Sequence, residues 1–250
     1  SQAQRAAKLI HLMARERPIS LGSRVGSIPI ILQHRTVISN GYVQVGPSRS
    51  EWFLQPDLDN FSNGAIGWSD QLALHEYRHV EQFENMKQGL SKFALQLFGE
   101  QAFDLAINAA VPNWFFEGDA VWQESALSKQ GRGKLPRFMN SFPILWSAHK
   151  SYSWMKIRNG SFKDWVPNHY ELGYLLVNYG YQQYGDHFWE KVIRDAVSYR
   201  SLLYPFQGAI KKHTGLSYRD FVKKSLQSYQ SSSNQEGPAV GKALFKENKR

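Results

Sequence analysis

His75-Glu76-Tyr77-Arg78-His79 is the stretch that says most about how this chain folds and what it does. In a helix, residues four positions apart lie on one face, so the imidazoles of His75 and His79 can reach the same metal ion. Glu76 lies beside His75 on the same turn, close enough to take a proton from a water molecule without binding the metal. Because such zinc sites use three protein ligands, the pattern predicts a third ligand elsewhere in the chain.

The residues around this motif favour a helix. Ser69-Asp70 offers an N-cap, Gly89 offers a C-terminal stop, and no proline or glycine lies between them. The apolar stripe of this helix contains both histidines, so packing would bury them. Two histidines satisfied within a core are the alternative interpretation. The glutamate between them favours a metal site.

The composition limits the remaining possibilities. With 250 residues and 42% hydrophobic content, the chain can form one large core or two lobes that share a cleft. The absence of cysteine excludes disulfides and thiolate zinc sites, which leaves histidine and carboxylates as the strong zinc ligands. No apolar run approaches the ~18 residues of a membrane span. Although the net charge is +9, lysine and arginine are scattered, so we expect no specific nucleic-acid site.

The hydrophobic pattern predicts a mainly α protein of the α+β class. We expect a helix over residues 2–17, then strands within 28–54 that include a hairpin turning at Asn40-Gly41. Further helices are expected near 70–88, 91–110, 113–129, 168–184, 186–198, 205–213 and 217–229. The predicted organisation is a single domain over 1–230, with an N-terminal sheet and metal helix in 1–90, a helical lobe in 91–230, and a flexible tail or linker in 231–250.

The third metal ligand has two candidates on the residues alone. Metzincins carry a glycine and a third histidine where this chain has Gln82 and Asn85, so that class is excluded. Glu100 is one candidate, with Asp104 one helical turn later as a supporting carboxylate. Glu117 is the other, directly after three aromatic residues. Periodicity does not choose between them.

Two further segments resemble gluzincin peptidases of the aminopeptidase N type. Trp114-Phe115-Phe116-Glu117-Gly118-Asp119-Ala120 is similar to their Trp-x-x-Glu-Gly-x-Ala segment, whose glutamate is the third zinc ligand. His169-Tyr170-Glu171-Leu172-Gly173-Tyr174 resembles their Pro-Tyr-Glu-x-Gly segment, whose tyrosine stabilises the oxyanion. The similarity covers about residues 69–190. It implies a thermolysin-like zincin catalytic domain, related to the peptidase MA-like domains, with Glu117 as ligand and Tyr170 as oxyanion stabiliser.

The resemblance also implies a cofactor and a reaction. One Zn²⁺ per chain would be held by His75, His79 and Glu117, and Glu76 would act as the general base in peptide-bond hydrolysis. When one ring nitrogen of an imidazole binds a metal, the N–H of the other ring nitrogen is donated to an acceptor. Asp119 and Glu124 are the candidates for that role, with solvated helix carboxylates as the alternative interpretation.

The departures from the family refine the expected activity. The separation of His79 and Glu117 is about twice that of aminopeptidase N relatives, which implies an inserted helix near 91–110 with Glu100 and Asp104 as structural residues. The family's exopeptidase signature, Gly-x-Met-Glu-Asn, is absent, so we expect an endopeptidase. Strand 42–45 or 52–54 could pair with an extended substrate.

The setting of the protein is likewise an expectation from the resemblance. Peptidase MA-like domains of this group belong to bacterial envelope proteins, which implies a periplasmic, cell-envelope or secreted protein that acts on a peptide or protein substrate. The serine-rich end after Gln230 is compatible with a further domain beyond residue 250. The alternative function is a catalytically weak or inactive peptidase-fold module that binds peptide or glycan within a larger envelope protein.

Overall fold

A computed structural model describes residues 1–16, 21–22, 27–56, 66–128 and 130–235. The strands in these ranges are β1 (Ile30–Gln33), β2 (Gly41–Gln44) and β3 (Arg49–Phe53). The α-helices are α1 (Gln2–Glu16), α2 (Trp68–Met86), α3 (Gly89–Phe98), α4 (Glu100–Ala110), α5 (Asn113–Leu127), α6 (Pro136–Met139), α7 (Ser141–Ser147), α8 (Trp154–Asn159), α9 (His169–Tyr184), α10 (Phe188–Val197), α11 (Pro205–Thr214) and α12 (Tyr218–Gln235), with a 3-10 helix at Arg132–Lys134.

The three strands form a small mixed sheet in the order β1-β3-β2. β1 runs parallel to β3, whereas β2 runs antiparallel to β3 with Gly41 opposite Trp52. The predicted hairpin turn at Asn40-Gly41 is wrong, because Gly41 begins β2 and the chain turns between β2 and β3. A Cβ at position 41 would lie 2.8 Å from Glu76 Oε1, so this glycine allows the strand to approach α2 closely.

The main core lies among the C-terminal helices. Aromatic side chains of α5, α10 and α11 pack together there, with Phe115 and Trp189 at a ring-centroid distance of 5.0 Å. α5 and α9 approach closely because Gly118 and Gly173 face each other. A Cβ on Gly118 would lie only 2.1 Å from the carbonyl carbon of Gly173. This contact brings the helix that contains Glu117 next to the helix that contains Tyr170.

Helix α2 lies between the two parts of the molecule. On one side, Leu74 and Tyr77 belong to a smaller apolar cluster with Met13 of α1. On the other side α2 packs against α5. The structure therefore confirms the predicted mainly helical α+β class, with a small N-terminal sheet, a central histidine-bearing helix and a helical C-terminal region.

Several predicted boundaries differ from the structure. The helix expected over 91–110 is two helices, because the chain turns at Gly99 with φ +81°. Gly89 begins α3 instead of ending α2, and α2 starts at Trp68 after Gly67. The short helices between residues 132 and 159 were not expected, because each is too brief to establish a hydrophobic period.

The end of the chain also differs in part from the prediction. Residues 231–235 of the predicted tail belong to α12, and 236–250 lie outside the described residues. Within the described ranges, no helix combines the length and the apolar character needed to cross a bilayer.

Candidate metal centre

Helix α2 buries both histidines, as the stripe predicts. His75 is 7% exposed and His79 is 8% exposed. Their ring centroids lie 4.9 Å apart, with the ring planes nearly perpendicular. One turn of helix therefore presents both imidazoles on the same face, close to each other.

Glu117 of α5 completes a group of three ligands. Its Oε2 lies 3.2 Å from His75 Nε2 and 3.7 Å from His79 Nε2. One ligand atom from each of the three residues lies within 4.8 Å of the other two. The structure thus contains a buried group that could hold a metal ion. Glu100 and Asp104, the alternative pair, lie on α4 and form no such group in the described part of the chain.

The charges of this group favour the binding of a cation between the three side chains. Burial opposes protonation of His79, but the Glu117 carboxylate outweighs burial and raises the pKa of His79 to about 9. Burial likewise opposes ionisation of Glu117, yet His79 and His75 hold the pKa of that carboxyl well below its ordinary value. Two imidazoles and a carboxylate are also a donor set that zinc prefers. The residues present therefore fit a divalent zinc ion.

His79 is held by a network of buried polar groups. Its Nδ1 lies 2.9 Å from Gln82 Oε1, and the Gln82 amide donates to Phe116 O and to Asp119 Oδ2. Arg78 in turn donates from Nε to Asp119 Oδ2 at 2.7 Å. The predicted supporting residue Asp119 therefore reaches His79 through Gln82 and not directly.

His75 has a different pair of neighbours. Glu124 Oε2 lies 3.4 Å from His75 Nδ1, and Arg132 Nη2 lies 2.7 Å from the same nitrogen. Burial opposes ionisation of Glu124, but Arg132 outweighs it and lowers the pKa of Glu124 to about 2. A guanidinium only donates, so in this arrangement His75 Nδ1 accepts from Arg132, and the Glu124 carboxylate accepts from Arg132. Glu124 would accept Nδ1–H of a metal-bound His75 once Arg132 moved off that nitrogen.

Glu76 lies beside this group with one oxygen uncommitted. The residue is 4% exposed, and its Oε2 has no hydrogen-bond partner among the described residues. Burial raises the pKa of the Glu76 carboxyl. Buried carboxylate oxygens normally have a partner, so an uncommitted one that borders a cleft is a candidate for chemistry.

Tyr170 reaches the same site from the first turn of α9. Asn168 caps that helix by accepting from Glu171 N at 2.9 Å. The Tyr170 ring centroid lies 6.3 Å from that of His75, and its hydroxyl interacts with the Glu117 carboxylate. Burial, followed by that carboxylate, raises the pKa of Tyr170. The phenol is therefore a hydrogen-bond donor at neutral pH.

An open cleft of about 400 Å³ gives access to these groups. Its lining includes residues 40–43 at the start of β2 and residues of α2, α4 and α5. Among the lining residues are His75, Glu76, His79, Glu117 and Tyr170. All five residues predicted to bind metal or to act in catalysis are therefore brought together.

Two neighbours of the histidines were missed in the sequence. Gln82 follows His79 by three positions, a spacing that places it within reach of the ring, so it could have been found. Arg132 lies in Gly131-Arg132-Gly133-Lys134, a segment without periodicity. Its approach to His75 spans 57 positions along the chain and leaves no local signal.

At a significant level the chain matches no known family model, no curated protein and no solved structure. Arguments about function therefore depend on the geometry of the cleft and on the sequence motifs.

Proposed function

We propose that this protein is a zinc-dependent peptidase of the gluzincin type, with a thermolysin-like, peptidase MA-like catalytic domain. The observation that carries the proposal is the buried His75–His79–Glu117 group beside the uncommitted carboxylate oxygen of Glu76, in one open cleft. The proposed setting, from the sequence resemblance, is the bacterial periplasm, cell envelope or exterior.

Glu76 is proposed as the general base. Bound zinc would lower the pKa of water and polarise the substrate carbonyl. Glu76 would accept the proton of the attacking water and pass it to the amine that leaves. Its burial supports this role, because a raised pKa brings the carboxyl closer to the range in which it both accepts and returns a proton.

Tyr170 is proposed to stabilise the charge that develops on the carbonyl oxygen. Its hydroxyl can only donate usefully while the phenol is protonated, which its raised pKa favours. The guanidinium carbon of Arg132 lies 5.3 Å from the centroid of the Tyr170 ring and helps to hold the ring in place.

Strand β2 is proposed to align the substrate. In the described part of the sheet β2 has only β3 as a neighbour, so its outer edge can pair with an extended peptide. Gly41 brings this edge close to Glu76, which would bring a paired peptide near the general base. A cleft open to solvent accommodates a chain that continues past the scissile bond. This supports an endopeptidase.

Zinc content and peptide cleavage test the proposal. We expect about one zinc per chain in the wild type and in Glu100→Ala, and loss of zinc in Glu117→Ala. Glu76→Gln should keep its zinc and lose chelator-sensitive hydrolysis of unfolded protein substrates. Full hydrolysis by Glu76→Gln would exclude Glu76 as the base. Zinc and tight peptide binding without turnover in the wild type would instead support the binding-module alternative.

A further inference from the structure

Some residues that line the cleft have no part in the proposed hydrolysis. Phe116 of α5 and Phe83 of α2 both line the cleft, with ring centroids 6.0 Å apart and the ring planes tilted by 50°. Asp104 and Asn108 of α4 line the same cleft. Phe83, Phe116, Asp104 and Asn108 together offer two aromatic rings, a carboxylate and an amide to the cleft.

Asp104 is a carboxylate of this cleft that has no part in metal binding or catalysis. Among the described residues, its carboxylate accepts a hydrogen bond from the Asn108 amide at 3.0 Å and has no cationic neighbour. Arg132, the cation that lines the cleft, is already paired with Glu124. In a chain of net charge +9, an exposed carboxylate on the cleft lining, without a cationic partner among the described residues, is the reverse of the general surface.

Asp104 also lies where a substrate would pass. It borders a second depression together with Tyr42 and Val43 of β2. A peptide paired with the edge of β2 would therefore carry its side chains past Asp104 and the aromatic rings. An alkyl chain suits the aromatic faces, and a positive end suits the carboxylate.

We propose that Phe83, Phe116 and Asp104 form a substrate subsite for the side chain of a lysine or arginine close to the scissile bond. The proposal rests on the peptidase function proposed above and adds the class of peptide to it. The alkyl stem of the basic residue lies against the aromatic rings, and its ammonium or guanidinium group pairs with Asp104, assisted by Asn108.

Cleavage of matched peptides tests the subsite. The probes are amino-terminally acetylated fluorogenic peptides that carry lysine, arginine, glutamine or glutamate at one varied position. For the wild type, the basic peptides should exceed the glutamine peptide by about tenfold in kcat/KM, as expected for a charge-assisted hydrogen bond. Asp104→Asn should remove that preference, and Asp104→Lys should shift it towards the glutamate peptide.

Glu100→Gln is the matched control, because it removes a carboxylate from the same helix one turn away without altering the lining of this cleft. It should keep the wild-type preference. Binding of the same peptides to zinc-loaded Glu76→Gln, measured by fluorescence anisotropy, should show the same dependence on Asp104. This second measurement does not depend on turnover.

The outcomes separate this inference from the proposed function. Cleavage without a basic preference, or a preference that persists in Asp104→Asn, would overturn the subsite and leave the peptidase standing. A preference that requires a free amino terminus would also overturn it, since the cation would then be the α-ammonium. If no peptide is cleaved or bound by the zinc-loaded protein, the peptidase function fails, and the subsite fails with it.

Discussion

Helix α2 and the α3–α4 pair follow each other in the chain. α2 buries many polar side chains, whereas the α3–α4 pair exposes many apolar ones. α2 buries polar side chains along most of its length, among them Arg78, Glu81 and Gln82. The α3–α4 pair leaves large apolar side chains in solvent, with Phe98 and Leu105 each 72% exposed. A buried polar group needs a partner, whereas a single exposed apolar group needs no compensation. The details of α2 should therefore matter far more than those of α3.

The buried polar groups of α2 compensate one another. Arg78 donates to Glu81 at 3.0 Å and to Asp119 at 2.7 Å, and Asp119 continues through Gln82 to His79. Removal of one member leaves the others charged in an apolar setting, which costs more than the interaction itself contributes. The network thus links the stability of α2 to the position of a metal ligand.

Arg78→Met should produce the largest effect. The variant removes the buried guanidinium that donates to both Glu81 and Asp119, so we expect a loss of about 3–5 kcal/mol in the free energy of unfolding. Urea denaturation of the zinc-free protein measures it. Arg5→Met, which removes a mostly exposed partner of Asp70, is the control and should change little. A loss under about 1 kcal/mol at Arg78 would show that the network does not stabilise α2.

Glu171 sharpens the comparison, because it is a buried carboxyl with no cationic partner among the described residues. Burial raises its pKa to about 7, from an ordinary value of 4.5. Between these values the unfolded chain has released the proton and the folded protein retains it, so stability falls as pH rises through this window. Above pH 7 both states are ionised and the loss is complete, at about 3 kcal/mol.

Glu171→Gln should remove this loss of stability with rising pH. The glutamine keeps an acceptor for the Phe142 N–H, which Glu171 Oε1 now accepts at 3.3 Å, and it carries no charge. The free energy of unfolding is measured for variant and wild type from pH 4.5 to 8. Subtracting one curve from the other cancels the contribution of titrating groups that both proteins share. Glu190→Gln on the surface of α10 is the control. Parallel curves for wild type and Glu171→Gln would rule out a charge penalty at this position.

Some parts of the site could be predicted from the sequence for a physical reason. The two histidines and Glu76 lie within one turn of helix, so local geometry alone determines how they face each other. Glu117 lies within a short motif, but preferring it to Glu100 as the third ligand required the resemblance to a known family. Its approach to the histidines depends on how α5 packs against α2.

Other features depend on contacts between distant segments and could not be predicted. Asn40-Gly41 has the local signature of a turn, but the glycine serves the contact of β2 with Glu76. The break at Gly99 lies within an otherwise continuous helical pattern. The sequence interpretation gave Asp104 only the role of a carboxylate supporting Glu100 or of a structural residue, because its place in the cleft arises only once the two helices beside that break are packed.

Substitutions on the exposed face of α3 should have the smallest effect. Phe93 is 52% exposed and Leu97 is 59% exposed, so Phe93→Ser and Leu97→Ser remove little buried surface. We expect a change of less than about 0.5 kcal/mol in the free energy of unfolding for either variant. Phe103→Ala on α4 is the control, because that side chain is fully buried and should lose about 3–5 kcal/mol. Comparable losses at Phe93 and Phe103 in urea denaturation would show that α3 is covered in solution, and the contrast with α2 would then disappear.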